Sequence, residues 1–266
     1  MKKLLPLILL ILIGCSSPEP INMETMLIER NDVYYTKDTN QPYSGPVFSL
    51  YENGQLWIEG TFKDGKQDGL WKSYNENGQL KEEQTYKDGE QDGLWKSFYE
   101  NGQLLLEGTW KDGEPDGLFK RYHENGQLQR EGTIKDDMED GPSKKYYENG
   151  QLQLEGTYKD GKQDGLWKSY NENGQLKVEG TLKDGELIIR KILQYYENGQ
   201  LSEEGTFKDG KEDGPYKSYW ENGQVFTEET YKDGKKDGLS KYYNENGQLR
   251  YEQTYKDDEL IDFKEY

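Results

Sequence analysis

His123 is the sequence's one histidine and Cys15 its one cysteine. Nucleophilic or metal chemistry would therefore have to be built almost wholly from carboxylates. A Ser-His-Asp triad, a Cys-His pair and a Cys/His zinc site each lack a member or a plausible neighbour. The segment DGKQDG invites a calcium reading, with Asp64, Asp68 and Gly69 at positions one, five and six of an EF-hand loop. Lys66 falls where an oxygen ligand belongs and no glutamate follows at position twelve, so the segment reads as a turn. No Walker-type phosphate loop is present. A glycosidase pair would find acids in plenty, yet Glu59, Glu83 and Glu107 recur as partners of lysines. The expectation is a non-enzymatic chain with no catalytic residue, no cofactor and no metal, in which His123 is an ordinary strand residue.

What must position these groups is a repeat. ENGQL occurs eight times and ENGQV once, at steps of 24 residues with a single step of 25. KDGKQDGLWKSYNENGQLK stands identically at residues 63–81 and 159–177, four repeats apart, the mark of a duplicated block. Each unit alternates strand-length segments such as LWKSYN and QLKEEQTY with two turns. Asn-Gly suits a two-residue type I′ hairpin turn, and KDGKQDG reads as a longer polar loop.

The register follows from one assumption. With Asn77-Gly78 as the turn, Lys72 faces Glu83. The same rule sets Lys96 opposite Glu107, Lys120 opposite Glu131, Lys144 opposite Glu155, Lys168 opposite Glu179, Lys217 opposite Glu228 and Lys241 opposite Glu252. On the other face Trp95, Phe119 and Trp167 fall opposite Gly108, Gly132 and Gly180, where a ring fills the space a glycine leaves. One face is therefore apolar and aromatic, and the other carries Tyr, Lys, Glu and Thr. The expected fold is all-β: an elongated, twisted antiparallel β-meander, solenoid-like, of about nine 24-residue hairpin repeats.

Two stretches break the pattern. ELIIRKILQYY lacks the second Asp-Gly and adds a residue, and KDDELIDFKEY ends the chain in the same style. A junction between sub-arrays is expected near residues 186–193. Residues 31–46 are expected to cap the array, with residues 16–21 a tether.

The start of the chain, MKKLLPLILLILIGC, is a separate object. It has a lysine pair, an apolar run too short to span a bilayer comfortably, and a small residue before Cys15. LIGC resembles the lipobox of bacterial lipoproteins. That resemblance implies a signal peptide over residues 1–14 and a lipid on Cys15. A tether over residues 15–33 is expected to follow, with the repeat array over residues 34–266. The protein would be exported and held at the cell envelope without a spanning helix, and Ser16 is compatible with outer-membrane sorting. The formal net charge is −18, and loss of Lys2 and Lys3 would make it more negative. Such a field repels nucleic acid and anionic lipid headgroups.

YENGQLWIEGTFKDGKQDGLWKSY closely resembles the variant MORN repeats of bacteria, found in YwqK-type antitoxin proteins. The resemblance runs over residues 34–266. It implies an array of β-hairpins acting as a protein- or lipid-binding scaffold. The leading expectation is a tethered scaffold for a protein partner, with an antitoxin or immunity role as a special case. Specificity would lie at positions that vary between repeats, Arg130, Phe226 and Tyr251. The alternative is a cell-wall or glycan-binding module using Trp71, Trp95 and Trp167 as sugar platforms, and a purely structural envelope role is a third reading.

Overall fold

The structure, a computed structural model, describes residues 18–266. The expected signal peptide over residues 1–14 and Cys15 lie outside the described residues. The chain forms two compact units that divide between Glu90 and Gln91. In the first, Gly45–Leu50, Leu56–Lys63, Gly69–Tyr74 and Leu80–Lys87 pair antiparallel in chain order. In the second, the strands from Glu90–Phe98 through Glu259–Glu265 continue the same scheme, each bonded to the next. Among the described residues the sole helix is the single turn Met23–Met26.

All seven lysine–glutamate pairs stand opposite each other as the register rule requires. The turns that produce this register exchange the roles expected of them. The tight type I′ turn is Asp-Gly of KDGK: Lys63 pairs with Lys66, and Asp64 and Gly65 take φ of 51° and 80°. Asp136-Asp137 and Asp257-Asp258 adopt the same left-handed pair without glycine, which the short polar Asp side chain tolerates.

The ENG turn is instead a three-residue loop. Asn75 N–H donates to the Gln79 carbonyl and Gly78 N–H to the Asn75 carbonyl, both at 2.8 Å, with Gly78 at φ 81° and Asn77 outside the left-handed region. That is a type I turn closed by a left-handed glycine. It pairs Tyr74 with Leu80, one step off the predicted register. A bulge at Lys81 then restores it, so that Ser73 meets Glu82 and Lys72 meets Glu83. The loop and the bulge offset each other, which is why an incorrect turn type led to the correct strand pairs.

The recurrence of ENGQ has a direct cause in hydrogen bonding between neighbouring loops. Asn125 Oδ1 accepts the Gln127 N–H at 2.9 Å within its own loop, while its Nδ2 donates at 2.8 Å to the Glu148 carbonyl of the next. Asn53, Asn101, Asn149, Asn198 and Asn222 repeat both bonds. Asn125→Ala is expected to lower stability by about 1 kcal/mol, since two exposed bonds are lost. Asn125→Asp, which keeps the acceptor, should cost less; thermal unfolding of the two variants tests the order.

The pattern break after Gly185 does not end the sheet. Glu186–Tyr195 is the longest strand and bonds to neighbours on both sides. In the other hairpins except the last, which shifts by one residue between Thr254 and Tyr255, the polar segment after the tight turn adds two residues: the pairing of Lys63 with Lys66 would bring Leu70 opposite Glu59, yet Lys72 stands there. A two-residue shift keeps every side chain on its face. In the divergent strand the shift is a single residue, between Thr181 and Leu182. Lys191 then faces Glu179 on one side, while Leu193 faces Glu204 on the other. The added residue re-phases the strand, and the boundary between compact units falls a hundred residues earlier than the expected junction.

The N-terminal segment folds earlier than expected. Residues 21–30, read as tether, place Ile21–Asn22 parallel to Gly45–Leu50 and Leu27–Arg30 in a hairpin with Val33–Thr36. Leu27 joins Val47, Phe62 and Trp71 in the buried core of the first unit, with Ile21, Met23 and Tyr34 packed around them. The physical reason is that Val47 and Phe62 would otherwise lie bare at the start of the array. The second unit has a thinner core. Edge-to-face pairs such as Tyr158–Trp167, 5.1 Å between centroids, recur along it. Ser143 and Ser240 occupy the slot that holds Trp95, Phe119, Trp167 and Tyr216 in other repeats of this unit, and both are buried.

Some of these glycines sit under rings, with a correction of partner; Gly108 pairs with Trp95 as expected, but no ring lies over it. Phe119 lies over Gly132 as expected. Trp167 turns away from Gly180 and lies over Gly156, as Trp71 lies over Gly60, and Gly180 is covered by Leu187 instead. A Trp ring pointed at the facing glycine would lose its Nε1–H partner. Leaning the other way, Trp71 donates to the Thr61 carbonyl at 3.1 Å and Trp167 to the Thr157 carbonyl at 3.2 Å.

Candidate functional site

One face of each unit carries an alternating charge ladder. In the second unit Lys96, Glu107, Lys120, Glu131, Lys144, Glu155, Lys168, Glu179 and Lys191 stand directly opposite one another on successive strands. Contacts along the ladder run from 2.7 Å for Lys191–Glu204 to 3.9 Å for Lys241–Glu252, and Lys120 leans to Glu107 rather than Glu131 at 3.8 Å. Where the ladder is re-phased, Lys191 reaches diagonally to Glu204 at 2.7 Å. Five of its glutamates also accept a tyrosine hydroxyl from the following strand: Tyr122 on Glu107, Tyr146 on Glu131, Tyr170 on Glu155, Tyr219 on Glu204 and Tyr243 on Glu228; beside Glu179, Tyr195 donates instead to the Leu176 carbonyl. Burial, then the bond to Glu131 and that residue's charge, push Tyr146 up to about 12. Tyr74, Tyr122, Tyr170 and Tyr243 behave alike, each against its own glutamate.

Beside this ladder runs a row the sequence reading overlooked. Leu94, Leu118 and Leu166 each face a threonine, as does Pro142. The leucines are exposed, Leu118 by 67 %. They lie on the face expected to be polar, because each stands two residues before a ladder lysine and so shares its side of the strand. Between them the glycines open shallow grooves. One of about 290 Å³ is walled by Leu118, Gly132 and Pro142, and a second of about 280 Å³ by Pro142, Gly156 and Leu166. In the first unit Pro46, Gly60 and Leu70 wall an equivalent groove.

The opposite face holds Arg130, Tyr251 and the aromatic rings. Arg130 lines a cavity of about 700 Å³ together with Arg121, His123, Gln129 and Lys145. Its guanidinium lies over Phe119, 5.6 Å from the ring centroid, and pairs through Nη2 with Glu139. His123 opens its ENG loop and takes up the Tyr146 carbonyl through Nε2 at 3.2 Å, with Nδ1 against Gln129 at 3.3 Å. Tyr51, Tyr99, Tyr147 and Tyr196 make the same carbonyl contact to the next repeat with their hydroxyls. His123 is thus one of these loop-to-loop staples.

Phe226 is the bulge residue between Val225 and Thr227, packed at a tilt of 53° against Trp220 at 4.4 Å between centroids and partly exposed. Tyr251 faces Tyr242, their rings 4.5 Å apart, and Tyr242 faces Thr227 on its other side. Phe226 and Tyr251 therefore lie two strands apart near one end of the second unit. Arg130 lies far along the strand order from both. Trp71 and Trp167, candidate sugar platforms, are buried beneath their neighbours. Among the described residues no three His, Cys, Asp or Glu side chains are grouped to hold a metal ion.

A search of curated proteins finds no match. Among solved structures, the chain is similar to a Photorhabdus luminescens Tc holotoxin pore, with 14 % identity over 83 % of this chain and a TM-score of 0.27. It is also similar to a TcdB2–TccC3–TEV structure, with 14 % identity over 86 % and a TM-score of 0.24. The chain spans 13 % of the length of each. A family model described as MORN repeat variant matches nine segments: residues 43–64, 67–88, 91–112, 115–136, 139–160, 163–184, 191–209, 212–233 and 236–257. These segments coincide with the hairpins whose turns, ladder and stacked loops are described above, and the chain belongs to the MORN repeat variant family.

Proposed function

We propose that the chain is a non-enzymatic scaffold that binds another protein along the leucine row of its ladder face, and that a lipid on Cys15 holds it at a membrane surface. The row is the supporting observation. A repeat has no folding need for an exposed leucine beside a charged ladder, and soluble proteins seldom leave such side chains in regular series. Two strands separate successive members, so they are presented at steps of about 10 Å with a groove between. That geometry suits a partner that inserts apolar side chains between Leu118, Pro142 and Leu166. The lipid reading rests on the residues LIGC, and export would restrict an immunity-like role to toxins that act in the envelope. The glycan reading loses two of its three tryptophans to the core.

The test is a photo-crosslinking side chain at position 118 of the full-length protein in its native envelope, with parallel versions at positions 226 and 251. A discrete, saturable protein adduct from position 118 is expected. Leu118→Ser with Leu166→Ser should weaken binding tenfold or more, since burying one leucine contributes about 1.5–3 kcal/mol. Adducts from 226 and 251 alone would move the interface to the aromatic face. Recovery of wall glycan without a protein adduct would overturn the scaffold reading.

A further inference from the structure

The cavity around Arg130 contains an arrangement that the repeat does not require. Arg121 stands directly opposite Arg130, and Arg130 directly opposite Lys145, so three cations occupy one row on three adjacent strands. Like charges placed directly opposite destabilise a sheet. Elsewhere the row is neutral or acidic: Ser73 meets Glu82, Ser97 meets Leu106, Ser169 meets Val178 and Ser218 meets Thr227. The cluster is thus confined to one place in a chain whose net charge is −18.

The three cations are incompletely satisfied. Arg130 has Glu139 on Nη2, but its Nε is buried with no hydrogen-bond partner. Among the described residues neither Arg121 nor Lys145 has a carboxylate within ion-pair distance. Both line the same cavity, which Gln129, Gln153, Tyr147 and Asn149 furnish with further polar groups. Glu148 and Glu172, at the tips of two ENG loops, form part of its lining and set a limit on how much negative charge it accepts. Arg130, fixed over Phe119, is held in place before any ligand arrives.

We propose that this cavity is a binding site for a small multivalent oxyanion, with Arg121 and Lys145 closing on it from either side of Arg130. Guanidinium groups match phosphate and carboxylate oxygens in paired bonds, and a row spanning about 10 Å suits an anion whose charge is spread over two groups. The ligand class is a diphosphate-like or di- to tricarboxylate molecule, free in solution. This site lies on the face opposite the leucine row and is independent of the scaffold reading.

The experiment is calorimetric titration of the full chain with inorganic diphosphate and, separately, citrate, alongside thermal unfolding with and without each. Arg121→Ser with Lys145→Ser is the informative variant, because serine is the residue this chain itself uses at the equivalent positions 73, 97, 169 and 218. The expected result is saturable binding of at least one anion, a rise in the melting temperature of the unaltered protein, and about a tenfold or greater loss of affinity in the double variant. Without anion, the double variant should melt no lower than the parent, since it removes the facing like charges. Glu139→Gln, which frees Arg130, should tighten binding. The stronger of the two anions separates phosphate from carboxylate chemistry. Failure of both to bind, or equal binding by the double variant, would overturn the site.

Discussion

Replacing Gly60 or Gly156 by alanine is expected to cost about 2–3 kcal/mol, while the same change at Gly108 costs nothing. These three glycines occupy equivalent places in their repeats and none has a left-handed backbone, so conformational strain does not separate them. The ring above does. A Cβ on Gly60 would lie 2.1 Å from Trp71, and one on Gly156 2.1 Å from Trp167. Each indole is buried and held by its Nε1–H bond to a threonine carbonyl, so it can move aside only by giving up that bond and its packing. On Gly108 the nearest atom would be 3.6 Å away, an ordinary contact. There alanine removes freedom from the unfolded chain and gives a gain of a few tenths of a kcal/mol up to about 1 kcal/mol. Gly132 and Gly205 should fall between, with nearest ring atoms at 2.8 Å. Urea unfolding followed by circular dichroism gives the order, and tryptophan emission should shift to the red in Gly60→Ala and Gly156→Ala. Equal losses at Gly60 and Gly108 would mean that ring packing is not what holds these positions to glycine.

That graded series shows where the sequence was informative and where it fell short. The period and the cross-strand pairs were legible because opposite charges announce their own partners: Lys72 can face Glu83 in only one register. Turn type was not, because Asn-Gly and Asp-Gly carry the same propensity. What separates them is the bulge at Lys81, which leaves no compositional mark. The lean of Trp167 toward Gly156 is set by a backbone carbonyl, and carbonyls are common to every sequence. The leucine row was within reach, since Leu70 shares a face with Lys72 by alternation, but the lysines beside it drew the face to the polar side. Arg130 was singled out as a departure from its neighbours. The rule that pairs Lys120 with Glu131 also pairs Arg121 with Arg130, so half of the cationic row could have been read directly. Lys145 could not, because its place depends on the two-residue shift that follows the Asp136-Asp137 turn.

Raising the pH from about 10 to about 12 should unfold the protein cooperatively, through the tyrosines of the ladder face. An unperturbed tyrosine loses its proton near 10, and that is the unfolded value. In the folded state burial comes first, followed by the hydrogen bond to a ladder glutamate and its charge, and these hold Tyr74, Tyr122, Tyr146, Tyr170 and Tyr243 near 12. The folded chain therefore binds these protons more tightly. Their contribution is fully present below pH 10, declines as the unfolded chain begins to ionise, and is gone once the pH passes the folded value. Because five such groups act in the same window, the decline is steep even though each is partly exposed. Tyrosinate absorbance and loss of sheet circular dichroism should rise together along a pH titration. Tyr146→Phe supplies the internal check. It deprives Glu131 of a donor, and so destabilises the protein at pH 8. It also removes one titrating group, so its deficit against the parent should shrink as the pH approaches 12. A deficit that stays constant with pH, or tyrosinate forming near pH 10 while the sheet remains intact, would show that the hydroxyl–glutamate bonds do not hold their protons in the folded ladder.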